Sequence, residues 1–169
     1  VRTTLRKNSF FRAEYFDDVL PAGKFNDNLW NFKMKVMNTG VALNNSLYYR
    51  FKGFRLSYEN DITNGITLKI AAKKTEEETV FDYSYVSLGN QFDLFTTSIT
   101  LKYSPNSQNI MTPKGKYTYN QALPELYLNY EQGLKSFGGD FNFSRFDALF
   151  VHQFKTKLGV TGLRFYGGL

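Results

Sequence analysis

This chain contains no cysteine, one histidine, one tryptophan and only four prolines among its 169 residues. Without cysteine it can build neither a disulfide framework nor a thiolate metal site. A lone histidine, His152, is too few imidazoles for the usual transition-metal centres. No apolar run approaches the roughly 20 residues that a membrane-spanning helix requires, and no stretch shows a convincing helical period. Acidic residues are in deficit, 15 against 21 Lys and Arg, for a formal net charge of +6. Nucleic-acid binders gather such charge into a patch or stripe. Here the basic residues Arg12, Lys33, Lys35, Lys69, Lys102 and Arg164 stand singly within alternating runs, so no nucleic-acid partner is expected.

What the chain has in abundance is aromatic residues, 17 Phe and 12 Tyr, set in runs of period two. In the last third, Leu126, Leu128 and Tyr130 alternate with Tyr127, Asn129 and Glu131. After Gly138-Gly139-Asp140, the residues Phe146, Ala148, Phe150 and Phe154 share a parity, with Asp147, Gln153 and Lys155 on the other. Thr161, Leu163 and Phe165 follow the turn at Lys157-Leu158-Gly159. Side chains in a strand alternate faces, and antiparallel neighbours need only short turns, so this is a β-meander.

The same grammar runs through the earlier chain. Phe11, Ala13 and Tyr15 alternate with Arg12 and Glu14; Trp30 to Val36 alternates again; Ile66, Leu68, Ile70 and Ala72 oppose Thr67, Lys69 and Ala71. Phe81, Tyr83 and Tyr85 form a short run, and Phe95 to Tyr103 a longer one. Lys73 to Thr79 reads as a charged, solvated connection, and Ser104 to Leu123 as a long connection with room for a brief hairpin. In SLYYRFKGFRLSYEN the parity of Leu47, Tyr49 and Phe51 is opposite to that of Phe54, Leu56 and Tyr58. A bulge at Lys52-Gly53 would put all six on one face, since a bulge inserts one residue and glycine tolerates it.

The count is about nine strands, several of nine to thirteen residues. Soluble strands usually run to about five or six residues, whereas roughly nine to eleven tilted residues cross a bilayer. Aromatic faces opposed to Lys, Arg, Asp, Ser and Thr are the pattern of outer-membrane barrels, where lipid meets one face and a polar lumen the other. We therefore expect an all-β fold, an antiparallel transmembrane β-barrel of meander topology. Residues 1–169 would form a single segment of a larger barrel. The chain opens on Val1 without a signal peptide and ends as if entering another turn, so targeting information and further strands are expected outside it. A soluble barrel would show similar alternation with the opposite sense. That leaves a secreted all-β module, binding a ligand such as a glycan through exposed aromatics, as the alternative.

The phrases SYENDITNGITLKI, TTSITLKYSPN and PELYLNYEQGLKSFGGDFNFSRFDALFVHQF resemble a family of uncharacterised Gram-negative outer-membrane proteins of Bacteroidetes type. The likeness runs from about Ser46 to Gly168. The resemblance implies an N-terminal carboxypeptidase-regulatory-like β-sandwich, absent from this chain. It also implies a C-terminal barrel similar to those of the surface-antigen superfamily, to which BamA belongs. It carries no active residues with it.

Chemistry is sparse. His152 shares the parity of Phe150 and Phe154, which suits an interfacial position better than a catalytic base. Glu76-Glu77-Glu78 matches no defined calcium loop. Gly133 to Gly139 lacks the Gly-Lys-Ser/Thr ending of a phosphate loop, and Ser144 lies outside any GxSxG context, so a barrel-embedded hydrolase has no visible triad. Arg145 and Asp147 share a parity and are placed for an ion pair in the lumen. We expect no catalytic, cofactor-binding or metal-binding residues and no cofactor. The expected role is non-enzymatic: transport, assembly or anchoring in the cell outer membrane. Outer-membrane lipid is the expected partner, with other envelope proteins as further candidates. Phe81, Tyr83, Tyr85, Ile99, Leu101 and Phe150 are expected to face the bilayer. Arg12, Lys33, Lys35, Arg55, Lys69, Lys102, Arg145 and Arg164 would face the lumen against Glu14, Asp82, Glu131 and Asp147, an interior of basic excess.

Overall fold

Strict alternation lets a strand bury one face, but only pairing satisfies its backbone N–H and C=O groups, and a meander achieves this with neighbours in sequence. The structure is a computed structural model and describes residues 2–6, 9–21, 48–63, 65–80, 89–112, 115–120, 124–157 and 159–169. Ten strands are described: β1 (Arg2–Arg6), β2 (Ser9–Pro21), β3 (Tyr48–Thr63), β4 (Ile66–Thr79), β5 (Gln91–Tyr103), β6 (Gln108–Thr112), β7 (Gly115–Asn120), β8 (Glu125–Gly133), β9 (Phe143–Thr156) and β10 (Gly159–Gly168). Eight of them form one sheet in the order β1-β2-β3-β4-β5-β8-β9-β10, and β6 and β7 make a separate hairpin. All neighbours are antiparallel. The fold is thus an all-β antiparallel meander. Among the described residues its edges, β1 and β10, do not pair with each other, and the sheet is not closed into a barrel. No helix among the described residues is long and apolar enough to cross a membrane.

Three readings of the sequence change here. Lys73 to Thr79 is not a loop: β4 runs to Thr79 and pairs on both sides, Lys74 with Phe54 and Phe95, Glu76 with Lys52 and Asp93. Charge signalled solvent, but solvated strands are held by cross-strand partners as well as loops are by water, and Lys52 Nζ stands 2.8 Å from Glu76 Oε2. The bulge at Lys52-Gly53 is also absent. Lys52 pairs with Asp17 and Glu76, and Gly53 with Phe16 and Thr75, in an unbroken ladder. The change of parity is real, because Phe51 belongs on the other face, where its ring lies 5.3 Å from that of Phe16. Glycine is needed at 53 for space: a Cβ there would come within 2.1 Å of the Lys74 carbonyl oxygen and 2.9 Å of Thr75 Cα. The third change is β1, which the sequence reading did not assign. The runs expected at Trp30 to Val36 and Phe81 to Tyr85, and Leu47, lie outside the described residues, while β2 pairs directly with β3 and β4 with β5.

The sheet has two distinct ends. At one, here the turn end, the junctions β1–β2, β3–β4 and β9–β10 are tight, and the β5–β8 junction carries the β6–β7 hairpin. At the other, the loop end, the junctions span 22–47, 80–90 and 134–142. The last of these contains a single 3-10 turn, Lys135–Phe137, closed by Gly138 in the left-handed conformation (φ 81°). That loop completes β5 beyond the reach of β8: Leu134 N donates to Phe95 O at 2.9 Å and Asp140 N to Asp93 O at 2.8 Å. The Asp140 carboxylate accepts from Asp93 N at 2.7 Å. The backbone groups of β5 are therefore paired after β8 has ended at Gly133.

Candidate functional site

Register decides which residues share a face. Asp61–Thr67–Lys102–Tyr127–Leu149–Tyr166 is one row of successive cross-strand partners through β3, β4, β5, β8, β9 and β10. All of its side chains point to the same side, as do those two residues away along each strand. The opposite face carries Phe11, Ala13 and Tyr15 of β2; Phe54, Leu56 and Tyr58 of β3; Ile66, Leu68, Ile70 and Ala72 of β4; Phe95, Ile99, Leu101 and Tyr103 of β5; Leu126, Leu128 and Tyr130 of β8; Phe146, Ala148, Phe150 and Phe154 of β9; and Leu163 and Phe165 of β10.

Burial runs against this polarity. The polar face is the shielded one: Ser57, Thr67, Thr75, Thr96, Thr100, Glu125, Asn129 and Asp147 are all buried on it. Its buried apolar cluster is small, Tyr127, Leu149 and Val151, with Tyr166 packed against it. On the apolar face Tyr15 is 72% exposed, Phe165 62% and Ile99 51%. Phe54, Ile70, Tyr103, Tyr130 and Phe146 are exposed there too. A water-soluble sheet would show the reverse.

A polar network crosses the shielded face. Lys102 Nζ stands 2.8 Å from Glu125 Oε1, and Glu125 is fully buried. The Tyr127 hydroxyl donates to Glu125 Oε2 at 2.8 Å, and the Lys102 ammonium lies 5.4 Å from the centre of the Tyr127 ring. One row away, Thr100 Oγ1 donates to Asn129 Oδ1 at 2.8 Å, and Asn129 Nδ2 to Asp147 Oδ2 at 3.2 Å. Arg145 Nε donates to Asp147 Oδ1 at 2.9 Å, and Arg145 Nη2 to the Tyr166 hydroxyl at 2.9 Å. The Tyr166 hydroxyl donates in turn to Asp147 Oδ1. The Arg145–Asp147 pair expected from parity is therefore present, and it is one link of a network spanning β5 to β10. Nothing in the sequence joined Thr100, Asn129 and Tyr166 to it, since their adjacency is a matter of register. On the β2–β3 side Glu14 sits between Arg12 (3.5 Å) and Arg55 (3.7 Å), and Arg55 lies over the Phe16 ring at 5.5 Å.

Of the charges expected on this face, Lys33, Lys35 and Asp82 lie outside the described residues. Arg12, Arg55, Lys69, Lys102, Arg145 and Arg164 share it with Glu14, Glu131 and Asp147, as expected. Among the described side chains the basic excess is not found. Lys73, Asp18, Glu59, Asp61, Glu77 and Glu125 also take this face, so described side chains number seven basic against eight acidic. The discrepancy comes mainly from the true lengths of β3, β4 and β8, which carry carboxylates past the ends of the runs first recognised.

The remaining candidates do not converge. His152 is on the apolar face, its ring 6.3 Å from that of Phe150 and 5.5 Å from that of Phe154, and its Nδ1 is buried without a hydrogen-bond partner. Ser144 is exposed on the same face and hydrogen-bonds Gln132 Oε1 at 2.7 Å. Ser144 and His152 stand eight positions apart on one strand, roughly 27 Å at about 3.4 Å per residue. No group of three His, Cys, Asp or Glu placed to hold a metal occurs among the described residues.

Comparison with known proteins adds a family. Residues 28–168 match the C-terminal domain of DUF5686, a family of unknown function. The chain belongs to that family. No curated protein and no solved structure is significantly similar to it. The matched stretch of this DUF5686 C-terminal domain takes in β3 to β10 and nearly all of the polar network, so the inverted sheet is where this domain's function has to be sought.

Proposed function

We propose that this domain is part of a transmembrane β-barrel of the outer membrane, and that its role there is non-enzymatic: passage, assembly or anchoring of envelope components. One observation carries the reading, the inversion of the sheet. Its shielded face holds ion pairs and hydroxyls, while its exposed face presents Phe, Tyr, Ile and Leu. Exposing that face to water leaves apolar area unburied at a cost of about 25 cal/mol per Å²; hydrocarbon removes the cost. From Phe95 to Tyr103 β5 offers nine residues with outward Phe95, Ile99, Leu101 and Tyr103, close to the roughly nine to eleven that cross a bilayer. The chain is then the barrel portion of a longer outer-membrane protein with an upstream β-sandwich, and strands beyond these eight complete the closure.

The carboxylates of the network are held by Lys102, Arg145 and Tyr hydroxyls, an arrangement suited to stiffening a hydrated wall. The test uses fluorescence in bilayers containing brominated lipid. In a Trp30→Phe background, tryptophan placed at Ile99 or Leu101 should be quenched strongly, and tryptophan at Ser98 weakly. Equal and weak quenching at all three, or solubility without detergent, would favour the secreted ligand-binding module instead.

A further inference from the structure

The apolar face does not extend evenly along the strands. At the turn end the outward positions of β2 to β5 and β8 to β10 are uncharged to the last residue: Ile66 at the start of β4, Tyr103 at the end of β5, Leu126 at the start of β8 and Phe154 near the end of β9. At the loop end the outward positions of β2 to β5 turn charged: Asp17 on β2, Arg50 and Lys52 on β3, Lys74, Glu76 and Glu78 on β4, Asp93 on β5. These charges are tied to one another across strands. Arg50 makes a two-pronged pair with Asp17, at 2.8 and 2.6 Å. Lys52 pairs with Glu76, which also accepts from Gln91. Beyond Ala72, β4 continues as regular strand through Lys74–Thr79, roughly 20 Å at about 3.3 Å per residue.

Outward charge is excluded from hydrocarbon unless it can reach water. If the apolar band lies in a bilayer, as the reading above has it, the band sits against the turn end, and the ion-paired ends of β2 to β5 stand clear of the membrane on the opposite side. Barrels of this class keep short turns on the periplasmic side and longer loops outside. The tight junctions here are all at one end, and the junctions 22–47, 80–90 and 134–142 at the other. We propose that the charged ends of β2 to β5 are a surface facing the cell exterior. It follows that the β6–β7 hairpin, which leaves the turn end, faces the periplasm.

This chain contains no cysteine, so single substitutions within it, in the full-length protein with any cysteine elsewhere replaced by serine, test this directly in the native membrane. Glu78→Cys and Val80→Cys mark the loop end, and Lys157→Cys and the hairpin's exposed Tyr117→Cys mark the turn end. A membrane-impermeant maleimide should label the first two in intact cells. The other two should take label only after the outer membrane is permeabilised. The two markers at each end guard against a single variant that fails to assemble. The reverse pattern would overturn the sidedness while leaving the barrel intact. Label at all four positions in a protein released without detergent would overturn the barrel reading on which it rests.

Discussion

Lys102 and Glu125 face each other from neighbouring strands, ammonium to carboxylate at 2.8 Å, and the Glu125 side chain is wholly buried. Breaking one partner of a buried pair leaves an uncompensated charge and costs about 3–5 kcal/mol, whereas replacing both by apolar groups is often close to neutral. We expect Lys102→Met to lower the stability of the refolded domain by about that amount. The double variant Lys102→Met/Glu125→Leu should recover most of the loss. Urea unfolding in detergent or lipid measures both, and a double variant no better than the single one would contradict the pairing argument.

Phe143 lies across Gly133 on the shielded face, with ring carbons 2.3 and 2.4 Å from the place a Cβ would take. Glycine gives the ring its seat. Gly133→Ala forces the ring or the strand to move, and overpacking of this kind costs about 1–3 kcal/mol. Removing the ring as well, in Gly133→Ala/Phe143→Leu, should abolish the clash. A double-mutant cycle read by the same unfolding experiment checks this: independent, additive effects would count against it.

Leu101 is an outward residue of β5 between Leu68 and Leu128. If it lies near the middle of the bilayer, Leu101→Arg should cost about 2–4 kcal/mol. Arginine at Thr97, two outward positions nearer the charged end, should cost less, because the penalty falls towards the interface. Folding yield and stability in vesicles report the difference; equal costs at both positions would mean no depth dependence and no bilayer.

Asp17 and Arg50 lie beyond the apolar band, and their pair titrates. The hydrogen bonds from Arg50 hold the Asp17 carboxyl below its usual range, with the opposing effect of desolvation smaller, and Arg50 is raised by the same bonds. A carboxyl with a lowered pKa in the folded state contributes above its unfolded value, about 3.9, and that contribution is lost as pH falls through the folded value. Hydrogen-exchange protection at the loop end of β2 and β3, taken relative to the intrinsic rate at each pH, should therefore fall as pH drops below about 4. Asp17→Asn should flatten the response, and high salt should weaken it. Being exposed on both sides, the pair governs local fraying and leaves global stability nearly untouched.

Much of the sheet was legible in order: the runs at Phe11, Leu56, Ile66, Phe95, Leu126, Phe146 and Leu163 all became strands of one meander. Alternation of parity is a local property, readable from a strand by itself. It also located Arg145 beside Asp147, because residues two apart on a strand share a face. What alternation could not supply was length and register. The charged half of β4 looked like a loop because only its neighbours, Lys52 and Asp93, make it a strand. Gly53 looked like a bulge because its role, close approach to the Lys74 carbonyl, is a contact with another strand.

The sense of the faces was decided at the tertiary level. Sequence alone determined that one parity is aromatic and the other polar, and both a soluble and a membrane barrel satisfy that. The six registers that join β2 to β5 and β8 to β10, each set by pairing between strands, carry the polar parity of those strands to the same shielded side and leave the aromatic parity outside. Periodicity is invariant to which side is inward; curvature and burial are not, and they exist only once the strands are assembled.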